Sequence, residues 1–182
     1  MLTDEELMLS VAKGNMEAFE EIVRRHQRTA WNTACRFLGD AEEARDVVQD
    51  TFLKILDAAP RYQPTALFKT YLYCIIARLC LDRARKKRPI YTDDLAYDLP
   101  QMHDPRPSAG DMLLAQERDR AVAAALDTLP PNQQMAIILK YYEGLGYQKI
   151  SQAMQITEKA VERLLARARG SLQAALVDLI KS

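Results

Sequence analysis

Apolar side chains recur at intervals of three and four residues along nearly the whole chain, and one proline-rich acidic stretch interrupts them. That rhythm is the strongest constraint on the fold, because a spacing near 3.6 gathers apolar groups on one stripe of an α-helix. Phe19, Ile22, Val23, Ala30, Trp31, Ala34 and Phe37 keep it over residues 16–38, and Gly39 supplies a stop. Asp40-Ala41-Glu42-Glu43 then offers a cap and an acidic first turn. The stripe resumes through Ala44, Val47, Val48, Thr51, Phe52, Ile55 and Leu56 to about residue 58. Pro60 and Pro64 bracket a loop, and a third long helix is predicted over residues 67–88, with Phe68, Tyr71, Leu72, Ile75 and Leu79 on its apolar side. At the start of the chain, Thr3-Asp4-Glu5-Glu6 is a capping box.

Pro89 ends the third helix. Residues 89–110 hold Pro89, Pro100, Pro105 and Pro107 among Asp93, Asp94, Asp98 and Asp104, with no periodicity, which predicts an extended linker. Helical pattern returns over 111–129, breaks at Pro130-Pro131, and continues over 132–143 to Gly144. The expected fold is all-α: two small helical domains, 1–88 and 111–182, joined by a flexible acidic linker, 89–110. At 182 residues and 48% hydrophobic, the chain has enough apolar material for two packed cores. No apolar run reaches the roughly 18 residues of a membrane span. The acidic start lacks the basic-then-apolar pattern of a signal peptide. Cys35, Cys74 and Cys80 are too widely spaced for a CxxC pair and read as free thiols, so the expected location is the cytoplasm.

The zero net charge conceals a segregated distribution. Residues 1–59 hold 7 basic and 12 acidic side chains, residues 60–88 hold 8 and 1, residues 89–131 hold 3 and 8, and residues 132–182 hold 7 and 4. Two basic blocks separated by acidic ones suggest two places that meet an anion, against the plainer alternative of solvated helix faces. Catalysis is not expected. His26 and His103 have no partners at metal-ligand spacing, and the chain has neither a glycine-rich phosphate loop nor a GxSxG motif. No cofactor, metal or small-molecule substrate is therefore assigned.

Residues 147–154 read as a short helix, Gln155-Ile156-Thr157 as a turn, and Glu158 onward as a longer helix capped by Thr157. That is a helix-turn-helix. Val161, Leu164, Leu165, Ala168 and Leu172 fall on one face of the second helix, and Lys159 and Arg163 on the opposite one, with Glu162 and Arg167 flanking. A basic outward face at the N-terminal half suits the major groove, and an ordinary amphipathic surface helix is the alternative. The other basic block pairs Arg61, Arg78, Arg83, Arg85, Lys86, Lys87 and Arg88 with Tyr62, Phe68, Tyr71 and Tyr73. Aromatic faces beside a cationic track are what unstacked bases require. Phe68 and Tyr71 lie on the apolar stripe, so Tyr62 is the best candidate for a free aromatic.

Three stretches together resemble the extracytoplasmic-function sigma factors, the compact initiation factors of bacterial RNA polymerase within the sigma-70 superfamily. They are residues 40–54 (DAEEARDVVQDTFLK), residues 68–82 with the basic run after them, and residues 126–131 (LDTLPP) continuing through Ala160-Val161-Glu162 to Arg167-Ala168-Arg169. The resemblance implies a sigma region two that binds core polymerase through Asp46, Gln49, Asp50 and Leu53. It implies that Arg61, Tyr62 and Gln63 take a flipped base of the minus-ten element, with Tyr73, Arg78, Arg83, Arg85, Lys86, Lys87 and Arg88 along the melted strand. It implies a sigma region four in which Thr157, Lys159, Glu162, Arg163, Arg167 and Arg169 meet the minus-thirty-five element. Core RNA polymerase, promoter DNA and an anti-sigma factor are the implied partners.

The chain departs from the family pattern at Tyr71, where Trp is usual, at Arg78 for Asn, at Lys149 for Glu and at Gln155 for Gly. Glu162 replaces a commonly basic residue and can accept from a cytosine amino group. Two other classes of function compete with a promoter-specificity subunit. One is a helix-turn-helix regulator that binds duplex DNA without joining polymerase, and the other is a protein-interaction module that mimics a sigma factor. The N-terminal lobe discriminates: a classical regulator has no need for the Asp46–Leu53 face or an aromatic loop before a basic helix.

Overall fold

The computed structural model describes residues 2–87 and 120–181. The expected linker 89–110, Arg88 before it and the beginning of the helix expected over 111–129 lie outside the described residues. Every regular element described is helical. The N-terminal lobe is α1 (Asp4–Val11), α2 (Met16–Leu38), α3 (Ala41–Ala58), a 3-10 turn at Ala59–Arg61, and α4 (Phe68–Lys87). The C-terminal lobe has α5, described over residues 120–127, then α6 (Pro131–Ile137), α7 (Tyr147–Met154) and α8 (Glu158–Lys181).

Local chemistry sets most of the boundaries. Thr3 and Glu6 complete the capping box: the Glu6 backbone N–H donates to the Thr3 hydroxyl at 3.2 Å, and the Thr3 N–H donates to the Glu6 carboxylate at 2.7 Å. Gly39 ends α2 in the left-handed conformation, at φ 66°. Asp40 then caps α3 by accepting from the Glu43 N–H at 2.9 Å. Pro131 opens α6 at its first position, where a missing N–H costs nothing.

Two elements differ from the sequence expectation. The helix expected over 132–143 is α-helical only to Ile137. A π-type turn follows at Ile138–Tyr142, widened so that the Glu143 N–H bonds to the Ile138 carbonyl. α4 has no single apolar side. Tyr73, Ile76 and Cys80 are fully buried together with Phe68 and Leu72, whereas Tyr71, Ile75 and Leu79 are only half-buried. The cause is its position: α4 packs on α2 and α3 and also on α6 and α7, so the two lobes enclose it from different directions. One continuous apolar core results, running from Ile22, Ile55 and Phe68 to Met135, Leu139, Ile150 and Val161.

Candidate polymerase and promoter surfaces

α3 buries Ala44, Val47, Thr51, Phe52 and Ile55. That leaves Asp46, Gln49 and Leu53 exposed and Asp50 half-exposed, one acidic face with a leucine that is 50% exposed. Arg83 of α4, which the sequence groups with the melted strand, leans across this face. Its guanidinium lies 3.6 Å from the Asp46 carboxylate and 3.4 Å from that of Asp50. Lys87 reaches back to Glu43 in the same way, at 2.5 Å. Arg83 and Lys87 therefore balance the acidic face as well as bordering the basic helix end.

Arg61 and Gln63 are exposed in the proline-bracketed loop. Tyr62 is not a free aromatic: it is half-buried, its ring centroid 5.6 Å from that of Tyr71, and its hydroxyl is enclosed without a protein hydrogen-bond partner. Burial raises its hydroxyl above the usual tyrosine range, and Glu5 adds to the shift. The basic residues of α4 beyond this loop are open. Arg78, Arg85, Lys86 and Lys87 are exposed, with Arg85 on Asp82 at 3.1 Å. Tyr73, expected along the melted strand, does not stand with them. It is wholly buried where the two lobes close on α4, and its hydroxyl donates to the Glu143 carboxylate at 2.5 Å across that junction.

The helix-turn-helix forms as its spacing requires. α7 ends at Gln155, whose φ of 56° is the sole positive value at a non-glycine among the described residues. A side chain in that conformation costs about 1 kcal/mol relative to Gly. The Ala160 N–H donates to the Thr157 hydroxyl at 3.1 Å, so Thr157 caps α8. Val161, Leu165 and Ala168 are buried, while Lys159, Glu162, Arg163, Arg167 and Arg169 are exposed. Arg169 also donates to the Leu165 carbonyl at 3.2 Å. The first two turns of α8 thus offer two cations, Lys159 and Arg163, and two carboxylates, Glu158 and Glu162, outward from a helix seated on α6 and α7.

A family model described as Sigma-70 region 2 matches residues 22–90, and one described as Sigma-70, region 4 matches residues 119–172. The chain belongs to the sigma-70 family. RNA polymerase sigma-H factor of Pseudomonas aeruginosa is 29% identical, over 98% of this chain and 96% of that protein. ECF RNA polymerase sigma factor SigE of Mycolicibacterium smegmatis is 31% identical over 87% of this chain and 61% of its own length. A solved structure of CnrH in complex with the cytosolic domain of CnrY is 27% identical, with a TM-score of 0.71 over 96% of this chain and 97% of that one. Within the family, the chain is an extracytoplasmic-function sigma factor.

The sigma factor holds its two regions together through a junction centred on Glu143, which the sequence did not mark as a site. Glu143 follows the π-type turn and is nearly enclosed, accepting from Thr33 of α2 at 2.9 Å and from Tyr73 of α4. Arg36 lies 3.8 Å from the same carboxylate and 4.4 Å from the centre of the Tyr142 ring. Gln134 of α6 donates to the Phe37 carbonyl at 3.3 Å, and Gln155 to the Cys74 sulfur at 3.7 Å. The partners of Glu143 stand 70 and 110 residues away in sequence, so no local pattern marks them. Among the described residues no cluster of ligating side chains suits a metal, and no helix is long and apolar enough to cross a membrane.

Proposed function

We propose that this sigma factor works in the cytoplasm as a promoter-specificity subunit with its tasks divided between domains 1–88 and 111–182. The α3 face of Asp46, Gln49, Asp50 and Leu53 docks on core RNA polymerase, with Arg83 holding the two aspartates. Arg61, Tyr62 and Gln63 take a base of the minus-ten element. Arg78, Arg85, Lys86 and Lys87, with Arg88, neutralise phosphates of the melted strand. Lys159, Glu162 and Arg163 read base edges of the minus-thirty-five element in the major groove, while Thr157, Arg167 and Arg169 border the phosphates.

The observation that carries this reading is the joint presence of both sigma-70 regions on one short chain, each with its charged face outward. No catalytic step is assigned: the protein supplies recognition, and polymerase supplies chemistry. An anti-sigma partner belongs to the same reading, supported by the solved relative held in complex with another protein's cytosolic domain. The deciding experiment adds the purified chain to sigma-free core polymerase and a set of genomic promoter fragments. Promoter-dependent transcripts that require the chain are the expected result. Duplex binding without any transcript would instead mean a regulator that acts outside polymerase.

A further inference from the structure

α4 begins without a cap of its own. The residue before it is Leu67, which is 56% exposed and carries no side-chain acceptor. The Leu67 carbonyl takes the N–H groups of Thr70 and Tyr71, at 2.9 and 3.3 Å. The Phe68 N–H is taken from elsewhere: it donates to the Glu5 carboxylate at 2.8 Å, across 63 residues of sequence. α1, which carries Glu5, is itself fastened. Asp4 bonds Arg25 at 2.9 Å and His26 at 2.8 Å, and Arg25 donates to the Leu2 carbonyl at 2.9 Å. α1 also packs against the 3-10 turn Ala59–Arg61, so it touches both ends of the loop that carries Tyr62.

The aromatic rings repeat the connection. The rings of His26 of α2 and Phe68 meet tilted at 5.1 Å, Phe68 approaches Tyr71 at 6.3 Å, and Tyr71 holds Tyr62 at 5.6 Å. Residues 2–11 precede the stretch that matches sigma-70 region 2, which begins at residue 22.

We propose that Glu5 is a positioning residue of the promoter-reading loop: by accepting the Phe68 N–H it fixes where α4 starts, and with it the seat of Tyr62. The inference rests on the reading that this loop takes a minus-ten base. A carboxylate at this place does two things at once. It satisfies an N–H that the loop cannot reach, and it sets a negative charge at the positive end of a 20-residue helix. Without it, the first turn of α4 frays into the loop, and the Tyr62–Tyr71 contact loses one of its fixed ends. The N-terminal helix is thus part of the strand-reading apparatus.

The test uses holoenzyme assembled from core polymerase and the full chain carrying Glu5→Ala, Glu5→Gln or Tyr62→Ala. Open-complex formation is measured on a duplex promoter and on the same promoter pre-melted across the minus-ten element. Glu5→Ala is expected to lower the duplex yield about tenfold, the scale of one charge-assisted hydrogen bond, and the pre-melted yield much less. Glu5→Gln, whose amide oxygen still accepts the Phe68 N–H, should restore most of the loss. Tyr62→Ala should share the duplex-selective defect. A normal Glu5→Ala beside a defective Tyr62→Ala would overturn the positioning role and leave the loop reading intact. Equal losses for Glu5→Ala on both templates would also overturn it, since a general folding defect does not distinguish them. A Tyr62→Ala variant normal on both templates would remove the loop reading, and the role of Glu5 with it.

Discussion

The Tyr73 hydroxyl donates to the Glu143 carboxylate at 2.5 Å, seating a residue from the end of the π-type turn against the middle of α4. The bond joins the lobe that carries the Tyr62 loop to the lobe that carries the helix-turn-helix. Burial, then this bond, raises the Tyr73 hydroxyl far above the ordinary tyrosine value of 10.0. A group whose folded pKa is raised contributes its full stability below the unfolded pKa. That contribution is lost as pH climbs above it, by about 1.4 kcal/mol per pH unit for one group. The melting temperature should therefore fall between pH 10 and 11 more steeply in the wild type than in Tyr73→Phe. Parallel profiles would mean that Tyr73 is solvated and that the lobes are not docked through it.

Glu143→Ala should loosen the same junction. It leaves the Tyr73 hydroxyl without its acceptor, while Thr33 keeps the Thr29 carbonyl at 2.9 Å, and an unmet buried donor costs about 1–3 kcal/mol. The expected outcome is a larger radius of gyration by X-ray scattering with unchanged helical content. An unaltered radius would show that the apolar contacts of α4 with α7 hold the lobes without it.

Leu53→Ser tests the α3 face. Leu53 is half-exposed among acidic residues, so covering it in an interface contributes about half of the roughly 1.5–3 kcal/mol of full leucine burial. The substitution should weaken binding to core polymerase several-fold while leaving thermal stability unchanged. Arg83→Ala should change affinity little, because its pairs with Asp46 and Asp50 are solvent-facing and worth about 0–1 kcal/mol. Unchanged affinity in Leu53→Ser would take this face out of the dock.

The cysteines should react in an order set by burial. Burial pushes the Cys80 thiol up to about 12, and it also raises those of Cys35 and Cys74. Cys80 is fully enclosed and the other two are half-buried. A thiol reagent near neutral pH should therefore label Cys35 and Cys74 first and reach Cys80 only at the rate of unfolding. Rapid labelling of all three would mean that α4 opens locally in the native state.

What could be read from the sequence was whatever chemistry acts within a turn or two. The Thr3–Glu6 box, the Gly39 stop, the Asp40 cap and the Thr157 cap all join residues three or four apart, and all appear at those places. The stripes of α3 and α8 were legible because each of these helices buries essentially one face. α4 misled because two lobes cover it, so its apolar residues point in more than one direction. Glu5, Glu143 and Arg83 act on partners dozens of residues away. In sequence, Glu5 reads as part of a first helical turn, Glu143 as a helix end, and Arg83 as one more cation in a basic run.

On the proposed reading, α8 divides base reading from phosphate binding along its length. Lys159, Glu162 and Arg163 are exposed in the first two turns of α8, opposite the buried Val161, Leu165 and Ala168, where a groove accepting this helix N-terminus first would meet them. Arg167 lies a turn further along the helix, where a phosphate contact is the expectation. An arginine bidentate to guanine is worth about 1–3 kcal/mol of discrimination, whereas a phosphate contact weakens every sequence alike and lowers the salt slope by about one unit. Arg163→Ala should therefore flatten the preference of holoenzyme among mutated minus-thirty-five elements. Arg167→Ala should reduce binding to all of them, keep their rank and shallow the salt dependence. The measurement is holoenzyme affinity for a panel of upstream elements at two salt concentrations. If Arg163→Ala lowers every element equally, base reading passes to Lys159 or Glu162, and the carboxylate of Glu162 then predicts a preference for cytosine at its position.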